Sequence, residues 1–373
     1  MKIFFVWLGN IVKRFMFAIN VLVVAAAVLG YASTQLNPER YWFLVYFGLI
    51  AFVCLCLNVG FVVYWLFQPL KRLRLLLSLS VLVLGFNLNQ RLVQYHSPMA
   101  IDSTATNLKI LTLNVGLFSY PSYDGFEQRK TDILNYCIDN AFDIVCFQEF
   151  QSQTKGSGDI VDDMFFRAKY NAGFFAKTRK HTDIFFSGIA IFSKYPIIKK
   201  DFKHFDKENN SVNGCAFADI VVQKDTFRVL VVHLQSIRFK PENYDYFDGF
   251  TKDQIKQSGF VKVIYKLKTG VIKRADQANL IAQWIRESPY KCIVAGDFND
   301  NPMSYAYTTI AQNMNDTFVE RGKWTGRTYR GSLPFLRIDN ILVDKKFTVY
   351  SHKTDNQYFS DHTPVIAQIG LKP

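Results

Sequence analysis

The sequence predicts an α+β fold, a four-layer α/β/β/α sandwich preceded by two or three transmembrane α-helices. Three observations lead to this prediction: long uncharged stretches near the N-terminus, short apolar runs that alternate with helical stretches after residue 108, and polar residues at the ends of those runs. With 49% hydrophobic and 20% charged residues among 373, the chain is too apolar for a disordered polyelectrolyte. Its six cysteines include no C-x-x-C pair, which argues against a zinc ribbon or a dense disulfide scaffold.

The N-terminal region contains three uncharged apolar stretches. No charged residue occurs from Phe15 to Pro38 or from Tyr41 to Leu70, and each stretch is long enough to cross a bilayer as a helix of about 20 residues. The third, Leu75–Gln90, has 16 residues and crosses only if its polar end reaches the interface. Buried core helices are a weaker alternative, because such helices are rarely apolar on every side. The expected spans cover about residues 15–36, 41–67 and 75–92.

Basic residues around these stretches predict their orientation. Lys71, Arg72 and Arg74 lie between the second and third stretches, and three more basic residues precede the first. The loop between the first two carries only Glu39 and Arg40. The positive-inside rule therefore places the N-terminus in the cytoplasm and, after three crossings, the rest of the chain outside the cytoplasmic membrane, in the periplasm of a bacterium. If the third stretch only lies on the membrane surface, the rest of the chain is cytoplasmic instead.

The chain divides into a membrane anchor at residues 1–96, a small polar linker at 97–107 and a globular domain at 108–373. Residues 1–96 hold eight basic residues and one acidic residue, so the remainder carries +6 of the net charge of +13. A mildly basic domain of this size attracts phosphates or an anionic membrane surface, but the charge alone identifies neither.

Apolar runs in the globular domain predict its strands. Most are apolar on both faces, so we expect each strand to be covered on both sides. Helical stretches such as Gln128–Asn140 and Arg274–Glu287 lie between them. This alternation favours two packed sheets with helices outside. The runs are LKILTLNV, DIVCFQEF, SGIAIFS, FRVLVVHL, YKCIVAGDF and LRIDNILV, with TPVIAQI as the last strand.

Polar residues with useful chemistry follow several of these runs. A single polar residue of this kind is typical of a strand that enters solvent. Solvent exposure explains less well why residues of these types recur at the ends of several apolar runs. Because strand ends meet at one rim of a sandwich, we expect these side chains to converge on one patch. They are Asn114, Glu149, His233, Asp297, Asn299, Asp339, Asp361 and His362.

These residue types suit the hydrolysis of phosphoesters with a divalent cation. The oxygen ligands of Glu149 and Asp361, helped by Asn114, select Mg²⁺ or Mn²⁺ rather than zinc. Neither an HExxH motif nor a cysteine beside a histidine supports a zinc site. The cation would neutralise charge that develops on the phosphoryl oxygens.

The remaining candidates divide the acid–base work. Asp297, with Asn299 two residues later, is placed to orient an attacking water. His362, if held by Asp339, keeps one tautomer and can take or give a proton. His233 is a candidate to bind the phosphoryl oxygen or to protonate the leaving group.

Seven motifs occur in the order LTLNVG, CFQEF, SGIAIFSKYPI, VVHLQS, GDFND, RIDNILV and SDHTPV. Together they resemble the endonuclease/exonuclease/phosphatase superfamily, from Leu108 to about Ile369, and GDFN and SDH with an upstream QE are the specific elements. The resemblance implies a metal ion at Glu149, supported by Asn114 and Asp361, a water-orienting Asp297 with Asn299, and a His362–Asp339 pair.

The chain departs from the family pattern in two places. His233 matches the histidine of the N-T-H-L element, but Val231-Val232 replace the Asn-Thr. Between this histidine and Arg274 lies an insertion at 238–273, rich in lysine and aromatic residues. It is either a lid or a surface that meets membrane or substrate at the active-site rim, or else an ordinary surface insertion. Arg274 and Gln277 then begin a helix that the family also has, and are candidate substrate-binding residues.

The leading hypothesis is a membrane-anchored, Mg²⁺- or Mn²⁺-dependent hydrolase of phosphodiesters, nuclease-like by resemblance. A lipid or small-molecule phosphoesterase, similar to sphingomyelinases or inositol phosphatases, is the alternative. A non-catalytic membrane scaffold would be expected to have lost a metal ligand or a catalytic histidine, and neither is missing. The expected partners are a phosphoester substrate, from nucleic acid or a lipid head group, and the bilayer; no obligate protein partner is inferred.

Overall fold

The computed structural model describes residues 2–68, 73–119, 125–154, 156, 158–205, 211–236, 259–331 and 335–371. Lys71 and Arg72, which enter the predicted membrane orientation, lie outside these residues. The described residues of the N-terminal part are mainly helical, with α1 at Lys2–Ala32, α2 at Pro38–Tyr41, a 3₁₀ turn at Trp42–Leu44, α3 at Val45–Leu49, α4 at Ala51–Leu66, α5 at Leu75–Leu84 and α6 at Phe86–Asn89.

One of these helices is long and apolar enough by itself to cross a membrane, the segment Trp7–Ala32 of α1. It begins before the predicted residue 15, because two charged residues do not interrupt a helix. The second predicted span is bent by 54° between Pro38–Leu49 and Ala51–Leu66. The third is corrected to the ten residues of α5 followed by α6, and ten residues span about 15 Å, half of the hydrocarbon core.

Polar side chains tie α1, α4 and α5 into one bundle. Asn20 of α1 donates a hydrogen bond to Ser78 of α5 at 2.6 Å and accepts one from the indole of Trp65 in α4 at 2.9 Å. All three side chains are buried. Such interhelical hydrogen bonds stabilise helix pairs where no hydrophobic effect drives their association.

The globular domain is built on two six-stranded mixed sheets. The first has the order β13-β14-β2-β3-β5-β4 and the second β10-β12-β9-β8-β7-β6, while β1 and β11 pair separately. The strands are β1 Gln94–Tyr95, β2 Thr106–Asn114, β3 Ile144–Gln153, β4 Ala172–Lys180, β5 Phe185–Ser193, β6 Ile197–His204, β7 Gly214–Val222, β8 Asp225–His233, β9 Lys291–Asp297, β10 Met314–Asp316, β11 Lys323–Trp324, β12 Asp339–Asp344, β13 Phe347–Thr354 and β14 Val365–Leu371. The helices are α7 Phe126–Asn140, α8 Ile160–Phe166, α9 Gly259–Arg286, α10 Tyr305–Ile310 and α11 Thr317–Arg321.

Alternate side chains of the central strands enter different apolar cores. Ile110 and Val229 face the core between the two sheets, whereas their neighbours Leu111 and Leu230 pack toward the outer helices. The outer cores contain residues of α7 and α8 on one side and of α9 and α10 on the other. The predicted α+β architecture with two packed sheets is therefore confirmed, and the strands that read as apolar on both faces are those covered on both sides.

Two boundaries predicted from the sequence need correction. Helix α9 begins at Gly259 rather than at Arg274, so the second half of the expected insertion is helical, and residues 238–258 lie outside the described part of the chain. The expected linker at 97–107 is bonded to the globular domain, because Met99 N donates to Tyr350 O at 2.7 Å and His96 N, just before the linker, donates to Gly322 O at 3.0 Å. A segment bonded in this way does not act as a free spacer.

Candidate active site

Strand register brings the predicted residues to one rim. In the parallel pair of β2 and β3, Asn114 lies opposite Gln148, and in the parallel pair of β8 and β9, His233 lies opposite Asp297. Asp339, the first residue of β12, pairs with the same Asp297 in the antiparallel direction. Because the carboxyl ends of parallel strands share one edge, each pair delivers its side chains to one end of its own sheet. The bond from Asn114 Nδ2 to Asp297 Oδ2 at 3.1 Å joins the two sheet ends.

Backbone irregularities aim two of these side chains. Glu149 has a φ of 50° and lies where the register of β3 shifts between Phe147 and Phe150, a β-bulge. Asn299 also has a φ of 50°. Gly296 has a φ of 141°, and a Cβ there would lie 2.0 Å from Val232 O, so only glycine fits beside β8. Bulges and positive φ values of non-glycine residues concentrate at functional sites.

Asp297 is the hub of the hydrogen bonds at this rim. Its carboxylate accepts bonds from Asn299 N at 2.7 Å, Asn299 Nδ2 at 3.2 Å and Asn114 Nδ2 at 3.1 Å. Burial raises the pKa of Asp297 to about 7, an effect that the neighbouring His362 partly offsets. A carboxyl group with this pKa exchanges a proton near neutral pH.

His362 and Asp339 form a buried pair. The imidazole Nδ1 lies 2.9 and 3.1 Å from the two carboxylate oxygens of Asp339. Burial alone would lower the pKa of His362, but the carboxylates of Asp339, Asp297 and Asp361 raise it to about 10. The imidazole is therefore cationic at neutral pH, and its Nε2 points toward Asp297 Oδ2 at 3.8 Å.

His233 approaches the same carboxylate from the second sheet. Its Nε2 lies 3.6 Å from Asp297 Oδ2 and 3.8 Å from Glu149 Oε1, while Nδ1 lies 3.4 Å from Val212 O. Both imidazoles thus converge on Asp297 Oδ2 at distances too long for direct hydrogen bonds. The arrangement places two proton-carrying groups around one buried carboxylate.

The donor set fits a hard divalent cation. Burial raises the pKa of Asp361, and the negative charge of Glu149 raises it further, so these two carboxylates repel each other. Asn114, the third predicted ligand, uses its side-chain oxygen to accept a bond from Gly116 N at 3.1 Å, which leaves that oxygen a second lone pair. Oxygen donors with excess negative charge favour Mg²⁺ or Mn²⁺ over zinc.

One group of candidate ligand atoms, from Asp297, Asp339 and His362, lies within 4.8 Å of one another. The Nδ1 atom of His362 is already bonded to Asp339 in this group. We therefore interpret these three residues as an acid–base unit and Glu149 with Asp361 as the part of the rim suited to a cation.

Arg274 and Gln277, the candidate substrate-binding residues, lie on α9. Arg274 is buried, with Nε 2.9 Å from Asp300 Oδ2 and Nη1 3.1 Å from Gln235 O. Gln277 Oε1 accepts a bond from Gln235 N at 2.9 Å. Both side chains thus hold the segment that follows His233, and their predicted contact with substrate stays a prediction.

Other residues support the site without having been predicted. The hydroxyl of Thr328 accepts bonds from Ile338 N and Asp339 N, both at 3.0 Å, and fixes the start of β12. Ser360 Oγ donates to Asn114 O at 2.6 Å and accepts from His362 N at 3.0 Å. The serine belongs to the SDH motif and had a signal in the sequence, whereas Thr328 belongs to no motif.

Three solved structures show the fold that this chain shares. An endonuclease/exonuclease/phosphatase family protein from Bacteroides thetaiotaomicron is 18% identical with a TM-score of 0.53, covering 72% of this chain and 99% of its own. One from Beutenbergia cavernae DSM 12333 is 16% identical with a TM-score of 0.52, covering 71% and 72%. A humanized D. rerio TDP2 with 14 mutations is 16% identical with a TM-score of 0.50, covering 71% and 99%. At these identities the likeness shows the fold alone.

Family models match two parts of the chain. Residues 13–92 match a domain of unknown function, DUF8431, which coincides with the N-terminal helices. Among curated proteins no match is found. Residues 111–362, more than half of the chain, match the Endonuclease/Exonuclease/phosphatase family, whose members are in general hydrolases of phosphoester bonds. On this match and the rim geometry, the chain belongs to the Endonuclease/Exonuclease/phosphatase family.

Proposed function

We propose that this protein is a membrane-anchored, divalent-metal-dependent phosphodiesterase with its catalytic domain at residues 108–373. The observation that carries the proposal is the convergence of the His362–Asp339 pair and His233 on the buried Asp297 carboxylate. Buried acids and imidazoles with shifted pKa values are costly to stability and are typical of sites that move protons. A non-catalytic scaffold would not need to keep this arrangement.

Glu149 and Asp361 would hold the cation, with Asn114 in support. When bound, a divalent cation supplies positive charge that stabilises the phosphoryl oxygens as negative charge develops on them. The protein contributes oxygen ligands, and the bulge at Glu149 directs one of them toward the rim. A bound cation would also relieve the mutual repulsion of the Glu149 and Asp361 carboxylates.

The remaining residues handle the water and the protons. Asp297, fixed by Asn299 and Asn114, would orient a water for attack on phosphorus and accept its proton. The cationic His362 would donate a hydrogen bond from Nε2 to a phosphoryl oxygen, with Asp339 holding the ring in place. His233, on the other side of Asp297, is placed to donate a proton to the leaving oxygen.

The N-terminal helices would anchor the enzyme. Large apolar side chains of α1, including Phe5, Phe15 and Leu22, are exposed on its surface, and α1, α4 and α5 form one bundle. Exposed apolar area of this extent is typical of a surface covered by lipid. We place residues 1–96 in the cytoplasmic membrane and the catalytic domain outside it, with 97–107 as the bonded connection.

The test is a substrate panel with the full-length protein in detergent: single- and double-stranded DNA, RNA, phospholipids, sphingomyelin and inositol phosphates, each with Mg²⁺ or with EDTA. We expect metal-dependent cleavage of at least one diester class. Asp297→Ala and His362→Ala should each lower turnover by about 10²-fold or more while the protein stays folded. Unchanged turnover in both variants would remove the mechanism.

A further inference from the structure

A basic cleft of about 360 Å³ lies beside the proposed catalytic rim. Its walls include Lys323, Trp324, Arg327, Arg330 and Thr363. Among the described residues that line it, three side chains are basic and none is acidic. A concave surface with one sign of charge attracts a ligand of the opposite sign.

The cleft shares its wall with the catalytic residues. Arg330 N donates to Asp361 O at 2.8 Å, and Arg330 Nε donates to Thr363 Oγ1 at 3.2 Å, so the cleft is bonded to both sides of His362. Tyr329, between the two arginines, forms a β-bridge with His362. A group bound in the cleft is therefore adjacent to a phosphoester at the rim.

The cations of the cleft are held by neutral acceptors. Arg327 donates to Tyr329 O at 2.7 Å and to Gly331 O at 3.1 Å, and Arg330 to Asn356 Oδ1 at 2.8 Å. Within the described part of the chain, neither arginine nor Lys323 forms an ion pair with a carboxylate. Their side chains are thus oriented while their charges stay available for an anion.

Both ends of the segment that carries these arginines lie against residues 1–96, the proposed membrane anchor. At one end Trp324 packs edge-to-face on Tyr95 at 5.4 Å, and their exposed fractions are 68% and 77%. Tyr95 lies six residues after the end of α6, within about 20 Å along the chain. At the other end Phe335 packs on Phe52, the second residue of α4, at 4.6 Å.

We propose that this cleft binds the anionic head group of a membrane phospholipid whose phosphodiester lies at the catalytic rim. The exposed Trp324–Tyr95 pair has the amphipathic character of residues at the lipid–water interface, and the neighbouring cations match an anionic head group. A nucleic acid would call for a longer track of basic residues than three around one cleft. This inference rests on the proposed function, for which it names the substrate class.

Lipid binding can be measured without turnover. The full-length Asp297→Asn protein is reconstituted in phosphatidylcholine vesicles that contain 20 mol% of dibrominated phosphatidylserine, whose head group carries a carboxylate beyond the phosphodiester, or dibrominated phosphatidylcholine. The contribution of Trp324 to tryptophan quenching is isolated by comparison with Trp324→Phe. We expect at least twofold stronger quenching of Trp324 by the anionic lipid, and a Lys323→Gln/Arg327→Gln variant should remove this preference.

Lys199→Gln/Lys203→Gln, which removes two exposed lysines from β6, is the matched control and should keep the preference. Equal quenching by the two lipids, or a preference that survives the loss of Lys323 and Arg327, overturns the inference. The inference is also overturned if inorganic phosphate, at a concentration equal to that of the anionic lipid, abolishes the lipid preference. The cleft would then bind a soluble anion. Displacement by a single-stranded oligonucleotide would identify the cleft as a nucleic-acid site and overturn it as well.

A turnover assay separates this inference from the function beneath it. Wild-type protein is compared with Lys323→Gln/Arg327→Gln on phosphatidylserine and on the soluble diester bis-p-nitrophenyl phosphate. We expect the ratio of lipid to soluble turnover to fall at least tenfold in the variant. Hydrolysis of the soluble diester with an unchanged ratio overturns the lipid cleft alone. A head-group preference in quenching, with no diester hydrolysed under any condition, supports the cleft and removes the proposed enzyme function.

Discussion

Nδ1 of His362 lies 2.9 Å from one carboxylate oxygen of Asp339 and 3.1 Å from the other, in a site where both side chains are buried. A carboxylate can only accept, so Nδ1 carries a proton and the tautomer of the ring is fixed. The other nitrogen, Nε2, is then the atom that faces the rim, 3.8 Å from Asp297 Oδ2. One pairing thus determines both the charge and the direction of the imidazole.

Replacing Asp339 by Asn should change the pH profile of the enzyme. Asp339 is the first of the carboxylates that raise the pKa of His362 against the effect of burial. With a neutral amide, that pKa falls, so the alkaline limb of kcat/KM against pH should move to lower pH and turnover should fall about 10²-fold or more. Asp344→Asn, at the far end of β12, is the control and should keep the wild-type limb. A loss of activity without movement of the limb would count against the assigned role.

The Asp297 carboxyl should make folding stability depend on pH in an unusual direction. Its pKa rises from an ordinary 3.8 to about 7 on folding, so the folded state binds the proton more tightly than the unfolded state. This contribution to stability is present below pH 4 and is lost as the pH rises to 7. The melting temperatures of Asp297→Asn and wild type are therefore compared in EDTA. The variant's melting temperature, relative to that of wild type, should be several degrees higher at pH 8 than at pH 5. A constant difference would show that the carboxyl is not perturbed.

Much of the rim could be predicted from the sequence because strand ends encode it. Asn114, His233 and Asp297 each follow an apolar run, and the parallel pairing of β8 with β9 brings His233 beside Asp297. The packing of the two sheets then brings Asn114 within 3.1 Å of Asp297. The same signal is absent where a residue acts through distant packing. Arg274 is buried against Asp300, 26 positions away, and such a pair becomes visible only when α9 lies on the second sheet.

Edge strands and helix starts were harder to predict for a related reason. Strand β6, with the sequence IIKKDFKH, is exposed over most of its length, so it lacks the apolar pattern that marked the central strands. Helix α9 continues back to Gly259 through a lysine- and aromatic-rich sequence that resembled a loop insertion. In both cases the neighbouring elements, rather than the local sequence, decide the structure.

Removal of metal should abolish activity, and Mg²⁺ or Mn²⁺ should restore it. Glu149→Gln keeps the shape of the side chain but removes its charge, so the metal concentration for half-maximal activity should increase at least tenfold. Binding without turnover can be followed as the rise in melting temperature with Mg²⁺, because a ligand of the folded state stabilises it. We expect this rise in wild type and in Glu127→Gln, an exposed control, but not in Glu149→Gln. An equal rise in all three would place the cation elsewhere.

His352 should weaken the protein in acid. Burial is the main cause that lowers its pKa, from an ordinary 6.5 to about 4, while its Nδ1 is bonded to Thr317 Oγ1 at 2.9 Å. The unfolded state therefore binds a proton first as the pH falls, and stability is lost between pH 6.5 and pH 4, by at most about 3 kcal/mol. Between pH 7.5 and pH 5 the melting temperature of wild type should fall by several degrees more than that of His352→Gln. Parallel curves would exclude this residue as the cause.

The short helix α5 raises the question of whether the chain crosses the membrane a third time. Ser33, just after α1, donates to Met303 O at 2.7 Å, and Arg91, just after α6, donates to Thr308 Oγ1 at 2.8 Å. Met303 lies just before α10 and Thr308 lies within it, so a membrane anchor that keeps these contacts would have both chain positions on the same side of the membrane as the catalytic domain.

If α1 crosses outward and α4 returns, α5 has to cross again to bring Arg91 to that side. Because α5 is short and the segment after α6 is bonded to the globular domain, this crossing requires a locally thinner bilayer or a polar helix end at the interface. A reporter fused to the C-terminus should give an extracytoplasmic signal, and the same reporter fused after residue 68 should give a cytoplasmic one. A cytoplasmic signal from both fusions would show that α5 stays on the surface, and the contact of Ser33 with Met303 could then not form in the membrane.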